Sequence, residues 1–443
     1  MKKIILTFLL ILFSFQLRAQ LEPFGLEGKS VTALTIYQRS LFAVTDGEGV
    51  YRRDLDKASS SWKFLGLDGL RLRSVFPYRL DSTRFLIFVG VVPTYSGGDS
   101  VLVYRWDSKD EVWAPSDSGM FRRYPLGIYG MHGAINKQIV YAGAPVRDHT
   151  GLYKYENGYW STVFDAAPPL ILLINAIHAE RDGEVVWIGG VLKHQAAFVL
   201  FSTNGGATWQ YRSLGLSAIG NSVRSIAVDP DTSSKVYVGL RDSLLFTRDD
   251  GMNWQTILRG DGPFRAVVVN RTNPKHVLTG LDSADVFQLL ESIDGGKSWQ
   301  KIVPSTLTKG ILALLMDQWE EKHVYVGTRG NGVFQYRSLI SRIETPESRP
   351  EYIHLSQNYP NPFNAITTIT YHVSPGREVA YLTVFDALGR KINQFKNDEF
   401  TGGLQRFIWD GRDYEGRQVP SGVYFYRLQI GVHAATRGAV LLR

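Results

Sequence analysis

The 443-residue chain reads as all-β, a seven-bladed β-propeller followed by a small antiparallel, Ig-like β-sandwich. An eight-residue phrase recurs at one interval, weaker copies extend the series toward the N-terminus, and near residue 340 the repeat stops and strands of another kind begin. The phrase reads Ser202-Thr203-Asn204-Gly205-Gly206-Ala207-Thr208-Trp209, then Thr247-Arg248-Asp249-Asp250-Gly251-Met252-Asn253-Trp254, then Ser292-Ile293-Asp294-Gly295-Gly296-Lys297-Ser298-Trp299. Its tryptophans are 45 residues apart both times. A period in the forties, with strand-like sequence between, belongs to a propeller blade. The phrase itself is turn chemistry: hydroxyl and Asp or Asn side chains can bond the turn's own backbone, and glycine supplies a positive φ.

Trp160, Trp113 and Trp62 close weaker copies, so the spacings from Trp62 onward are 51, 47, 49, 45 and 45 residues. Each unit also carries a β-branched run ending near a glycine, as in Val140-Tyr141-Ala142-Gly143, Val185-Val186-Trp187-Ile188-Gly189 and Val236-Tyr237-Val238-Gly239. Such runs read as strands. A seventh unit starts at Ile311, passes Val324-Tyr325-Val326-Gly327 and stops after Tyr336 without its tryptophan strand. The missing strand is expected at the other end of the chain. Phe24-Gly25-Leu26-Glu27-Gly28 matches Leu65-Gly66-Leu67-Asp68-Gly69, which follows Trp62. Pairing this N-terminal segment with the seventh unit closes the ring and leaves no open blade.

The phrase resembles the Asp-box, or BNR-like repeat, of sialidases, sortilin-like receptors and photosystem assembly factors. That resemblance implies a propeller and is silent about the ligand. It also implies that the turn joins the two outer strands of a blade, away from the face where ligands bind. Asn204 stands where other copies have Asp249 and Asp294, a substitution general acid–base chemistry would not tolerate. The early Arg-containing signature of sialidases is absent, and Phe76-Pro77-Tyr78-Arg79-Leu80 does not match it.

Lys2 and Lys3 precede an apolar run over residues 4–15, and Ala19 precedes the expected cut, so residues 1–19 read as a secretory signal peptide. The run is shorter than the ~20 residues a spanning helix needs, and no later stretch reaches that length, so no transmembrane segment is expected. With no cysteine, disulfides and thiol chemistry are excluded, and stability must come from packing. The formal charge of +7 is concentrated at the ends: three positive charges lie in the signal, and residues 353–443 hold ten basic and seven acidic residues. Little net charge remains for the propeller at residues 20–338, so no nucleic-acid partner is expected.

Residues 339–352 read as an exposed linker. Beyond it come Asn358-Tyr359-Pro360-Asn361-Pro362-Phe363-Asn364, the alternating Thr367-Thr368-Ile369-Thr370-Tyr371, then Trp409-Asp410-Gly411 and Ser421-Gly422-Val423-Tyr424. Residues 353–443 resemble, over nearly their whole length, the type A C-terminal sorting domain of type IX secretion substrates. The resemblance implies recognition by the type IX machinery and passage through the periplasm to the medium or the outer-membrane cell surface.

Three long loops of consecutive units occupy the face opposite the phrase: residues 91–100, 144–150 and 190–195. With the link at residues 114–127 they supply the candidate ligand-binding residues Tyr95, Asp99, Arg122, Arg123, Arg147, Asp148, His149, Lys193 and His194. Loops on a rigid scaffold are where recognition sits. No motif selects catalytic residues. A glycoside hydrolase would need a carboxylate pair about 5–10 Å apart, and nothing local marks one. The nine histidines are dispersed without metal-ligand spacing, and no glycine-rich loop opens a helix, so no metal or cofactor is expected. The favoured reading is a secreted or surface-displayed binding module for an extracellular glycan or protein. A glycan-active hydrolase with carboxylates in the funnel and an envelope assembly scaffold are the alternatives.

Overall fold

The computed structural model describes residues 20–338 and 353–442, less 58, 82, 94–100, 121–126, 146–149, 167–170, 193–194, 284–286, 303–308, 318–322, 374–378, 398–402 and 431–432. The chain divides into two compact units, residues 1–339 and 340–443. The signal peptide and the expected linker lie outside the described residues.

The first unit is a ring of seven four-stranded blades. Blades 3 to 6 each form a sheet in simple order: Met131–Ala134 to Tyr159–Ala166, Ile171–Ala179 to Gln210–Arg212, Ser225–Asp229 to Gln255–Arg259, and Phe264–Val269 to Gln300–Ile302. Blades 1 and 2 share a continuous sheet because two of its elements serve twice. Ser40–Asp54 doubles back on itself, with Leu55 N donating to Arg39 O at 2.8 Å, and so supplies the two middle strands of blade 1. Lys63–Arg79 runs from the outer edge of blade 1 into the innermost strand of blade 2.

Blade 7 closes the ring as the sequence anticipates. Its strands Ile311–Met316, His323–Thr328 and Val333–Arg337 are completed by Gln20–Gly25, antiparallel to Val333–Arg337 from Gln20 opposite Arg337 to Gly25 opposite Val333. A strand from one terminus thereby satisfies the backbone edge left open by the other.

Every seam between blades carries a polar tie across apolar packing. At the first three the indole of the fourth strand reaches back to the preceding blade: Trp62, Trp113 and Trp160 donate to Phe24 O, Leu65 O and Ser116 O at 2.8, 2.8 and 2.5 Å. At the next three the recurrent turn is the acceptor. Tyr141 donates to Gly205 O at 3.0 Å, the Arg212 guanidinium to Asp250 O, and Tyr237 to Gly295 O at 3.2 Å. Between blades 6 and 7 the buried Glu291 carboxylate accepts from Tyr336 and Ser338, both at 2.7 Å, and is held from within its own blade by His276 at 2.8 Å.

The second unit packs a three-stranded sheet (Ile353–Leu355, Thr367–Val373, Gly403–Trp409) with a four-stranded one (Lys391–Asn397, Ala380–Asp386, Gly422–Ile430, His433–Leu441), all antiparallel. Its core joins Ile369, Tyr371, Trp409, Tyr426 and Leu428 from both sheets. The sequence motif near residue 360 turns out to be internal carpentry. Asn358 is buried, its N–H donating to Tyr426 Oη at 2.8 Å and its amide to Thr367 Oγ1 at 2.9 Å. Phe363 packs on Trp409 with ring centres 5.4 Å apart. No helix among the described residues is long and apolar enough to cross a membrane.

Candidate functional site

The innermost strand of every blade starts with, or is led into by, the same triplet of an apolar residue, a variable residue and a small residue. In order around the ring these are Val31-Thr32-Ala33, Leu72-Arg73-Ser74, Ile128-Tyr129-Gly130, Ile174-Asn175-Ala176, Val223-Arg224-Ser225, Phe264-Arg265-Ala266 and Ile311-Leu312-Ala313. All seven apolar residues have no exposed surface, whereas all seven variable residues are half-buried. In every blade but the second, where the residue is Leu72, the apolar residue wedges against a glycine near the end of the second strand of the preceding blade. A Cβ built on Gly143 would come within 2.5 Å of Ile174, and one on Gly280 within 2.5 Å of Ile311. This close approach is why the β-branched runs end in glycine.

At the variable residue the strand pairing slips. The register skips Thr32, Arg73, Asn175, Arg265 and Leu312, and in blade 5 Arg224 N donates to Gly239 O at 2.7 Å although Ser225 is the residue opposite Gly239. A bulge re-aims the side chain of the extra residue. Here six of the seven blades carry one, all but blade 3, and the variable side chains gather at a shared axial mouth. The charges report the convergence: Arg73 of blade 2 feels Arg265 of blade 6 across the ring, and Arg224 of blade 5 feels both Arg265 and Tyr129 of blade 3.

Three of the seven are arginines, and their settings differ. Arg73 donates to Asp46 at 2.7 Å, which also accepts from Arg71 at 3.1 Å. Arg265 donates to the buried Asp282 at 2.6 Å, which also receives Arg329 at 2.7 and 2.9 Å. Arg224 makes no ion pair among the described residues, and its buried Nε has no hydrogen-bond partner among them. Burial lowers the pKa of Arg73 and of Arg224, and for Arg224 the neighbouring Arg265 and Arg241 push the same way. The mouth's polar neutral residues are engaged in the seams. Thr32 donates to Leu72 O at 2.7 Å, and Asn175 to Val223 O and Ser222 Oγ, both at 2.9 Å.

Beside Arg224, between blades 4 and 5, lies a pocket of about 250 Å³ whose walls include Gln195, Asn221, Ser222 and Arg241. Gln195 is the last residue of the loop in which the sequence placed Lys193 and His194. All nine sequence-chosen candidates (Tyr95, Asp99, Arg122, Arg123, Arg147, Asp148, His149, Lys193, His194) lie outside the described residues. The axial arginines were missed because charge was judged over the whole propeller. Aligning the units on the apolar–variable–small triplet would have exposed them.

The recurrent phrase does structural work in every copy. Asp249 Oδ1 accepts from Thr247 Oγ1 at 2.7 Å and Asn253 N at 2.9 Å, and Asp294 Oδ1 from Ser292 Oγ at 2.8 Å and Ser298 N at 2.9 Å. Asn204 Oδ1 repeats the pattern with Ser202 Oγ at 3.0 Å and Thr208 N at 2.9 Å. The side chains of Asn253 and Ser298 lead in holding the Asp249 and Asp294 carboxyls down to about 2. Among the described residues no group of three or more His, Cys, Asp or Glu could hold a metal ion. The stacked rings of His132 and His178, 4.9 Å apart, lie half-buried between blades 3 and 4, and desolvation alone lowers His132 to about 4.

Residues 357–441 match the family model described as the secretion system C-terminal sorting domain. The chain carries a type IX sorting domain. It is therefore addressed to the type IX machinery, for secretion or for attachment at the cell surface. No curated protein matches the chain in sequence. Among solved structures, an enzyme of family GH74 from Niastella koreensis is similar with a TM-score of 0.55 and 13% identity, covering 94% of this chain and 73% of that one. YCF48 bound to D1 peptide has a TM-score of 0.50 and 15% identity over 70% of this chain and 94% of that one. PorZ, described as an essential surface component of the type-IX secretion system of Porphyromonas gingivalis, has a TM-score of 0.48 and 14% identity over 94% of this chain, which spans 59% of its length. The likenesses to the GH74 enzyme and to YCF48 support the propeller fold and nothing beyond it.

Proposed function

We propose that the propeller is a binding module, delivered outside the cell by its sorting domain, which recognises an extracellular glycan or protein at the axial mouth. The observation that carries this reading is the set of seven variable residues that lead the innermost strands, six of them at a slip in the strand pairing. A rigid ring holds seven fully buried apolar anchors and presents beside each a side chain of differing chemistry to the axis, which is how a scaffold serves recognition. Asp46 and Asp282, the carboxylates bound to the mouth's arginines, each serve two guanidiniums. That arrangement suits orientation of cations rather than proton transfer to a glycosidic oxygen. The experiment is a titration of the full chain against a panel of soluble polysaccharides and of secreted proteins, following binding and released reducing ends together. Binding without bond cleavage is the expected result. Release of reducing ends at a catalytic rate would replace this reading with a hydrolase.

A further inference from the structure

We infer that the axial mouth is an oxyanion site for an acidic saccharide unit, with Arg224 as its principal cation and Arg265 and Arg73 flanking it. The inference rests on the mouth being the binding face and names the class of ligand it takes. Arg73 and Arg265 have carboxylate partners within their rim, Asp46 and Asp282, that fix how their guanidiniums point. Arg224 has none, and its Nε is buried without a partner among the described residues. Burial and two further cations, Arg265 and Arg241, disfavour the charged guanidinium in the free protein, and the carboxylate of Asp282 offsets this only in part, since the pKa stays lowered. An anion supplied by a ligand removes that penalty, and a planar carboxylate or a sulfate matches the guanidinium fork.

The adjoining pocket narrows the choice. Its volume of about 250 Å³ falls below the roughly 300–1,000 Å³ of drug-sized clefts, so it admits one sugar ring or one charged group. Gln195 offers hydrogen-bonding groups for hydroxyls, Leu173 and Val191 offer an apolar wall for the C–H face of a ring, and Tyr129 stands across the mouth. A cation, hydroxyl partners and a small apolar wall together fit a uronate or a sulfated sugar better than an acidic peptide. A peptide would need room for its neighbouring side chains.

The test uses the full chain and four probes: polygalacturonate, dextran sulfate, neutral dextran and polyglutamate. Wild type binds one or both acidic polysaccharides and not neutral dextran, and the affinity falls as salt rises from about 50 to about 500 mM. Preference between the two acidic polysaccharides distinguishes carboxylate from sulfate. Arg224→Gln weakens that binding about tenfold or more without lowering the melting temperature, because its Nε loses no partner among the described residues and the free protein is relieved of a half-buried charge. Arg73→Gln, across the ring, weakens it several-fold. Arg390→Gln, an exposed residue of the sorting domain, leaves it unchanged. Binding to neutral dextran that Arg224→Gln does not alter overturns the anion site and leaves the binding module standing. Binding to polyglutamate alone overturns the saccharide in favour of an acidic protein. Wild type that binds no member of this set overturns the inference. If it also binds nothing in the broader panel above, the binding-module reading falls with it.

Discussion

Glu180 sits in the hairpin between the first two strands of blade 4, its N–H donating to Val185 O at 2.9 Å. Burial, with help from Asp182 and Asp250, raises its carboxyl to about 7 from an ordinary 4.5. Between those values the folded protein holds a proton that the unfolded chain has released. The contribution to stability is complete below about 4.5 and is lost as pH rises through 7. Glu180→Gln therefore raises the melting temperature at pH 8 and gives no gain at pH 4, which thermal scans at the two pH values check. Asp249 and Asp294 have the opposite sign: held at about 2, they stabilise above the ordinary carboxylate range and lose that contribution as pH falls toward 2. The turn role of these two was legible from the phrase alone, since its hydroxyl and carboxylate groups find their partners within the same turn. The role of Arg73, Arg224 and Arg265 was not. A bulge inserts a residue without leaving a mark in the alternation of apolar and polar positions, so Phe264-Arg265-Ala266 reads as an interrupted core strand.

At the scale of elements, period and turn chemistry exposed the blades and even the strand exchanged between the termini, because closure leaves only one home for an orphan outer strand. What escaped the sequence is how neighbouring blades are tied, since most ties join a side chain to a backbone carbonyl of another repeat, which no residue type marks. The tie between blades 6 and 7 is the most exacting. Glu291 is buried, and although burial opposes its ionisation, its bonds to His276, Ser338 and Tyr336 keep its pKa below the usual carboxylate value. Glu291→Ala leaves three buried polar groups facing a void and is expected to destabilise the propeller by about 3 kcal/mol. Tyr336→Phe removes one of the three bonds and costs about 1 kcal/mol. Equilibrium denaturation of the two variants orders them, and equal losses would show that the carboxylate is not the hub of the seam.

For the whole molecule, address and cargo are separable. The sorting unit has its own two-sheet core, with Asn358, Phe363, Trp409 and Tyr426 joined to one another across it, and the propeller closes on itself with a strand from residues 20–25. Among the described residues neither unit borrows a strand from the other. A chain lacking residues 353–443 should therefore keep the propeller's cooperative melting transition while losing its route out of the cell. Cell fractionation of that deletion is expected to find folded propeller retained inside the outer membrane and none at the surface or in the medium. The melting transition guards the interpretation, because an unfolded truncation would also fail to be exported. Trp409→Ala supplies the complementary case. It removes the largest side chain of the sorting core and one contact of Phe363, at a cost of about 3–5 kcal/mol in the C-terminal unit alone. Retention of this full-length variant, with the axial mouth still competent to bind, would place the sorting function in the folded sandwich rather than in the mere presence of its sequence.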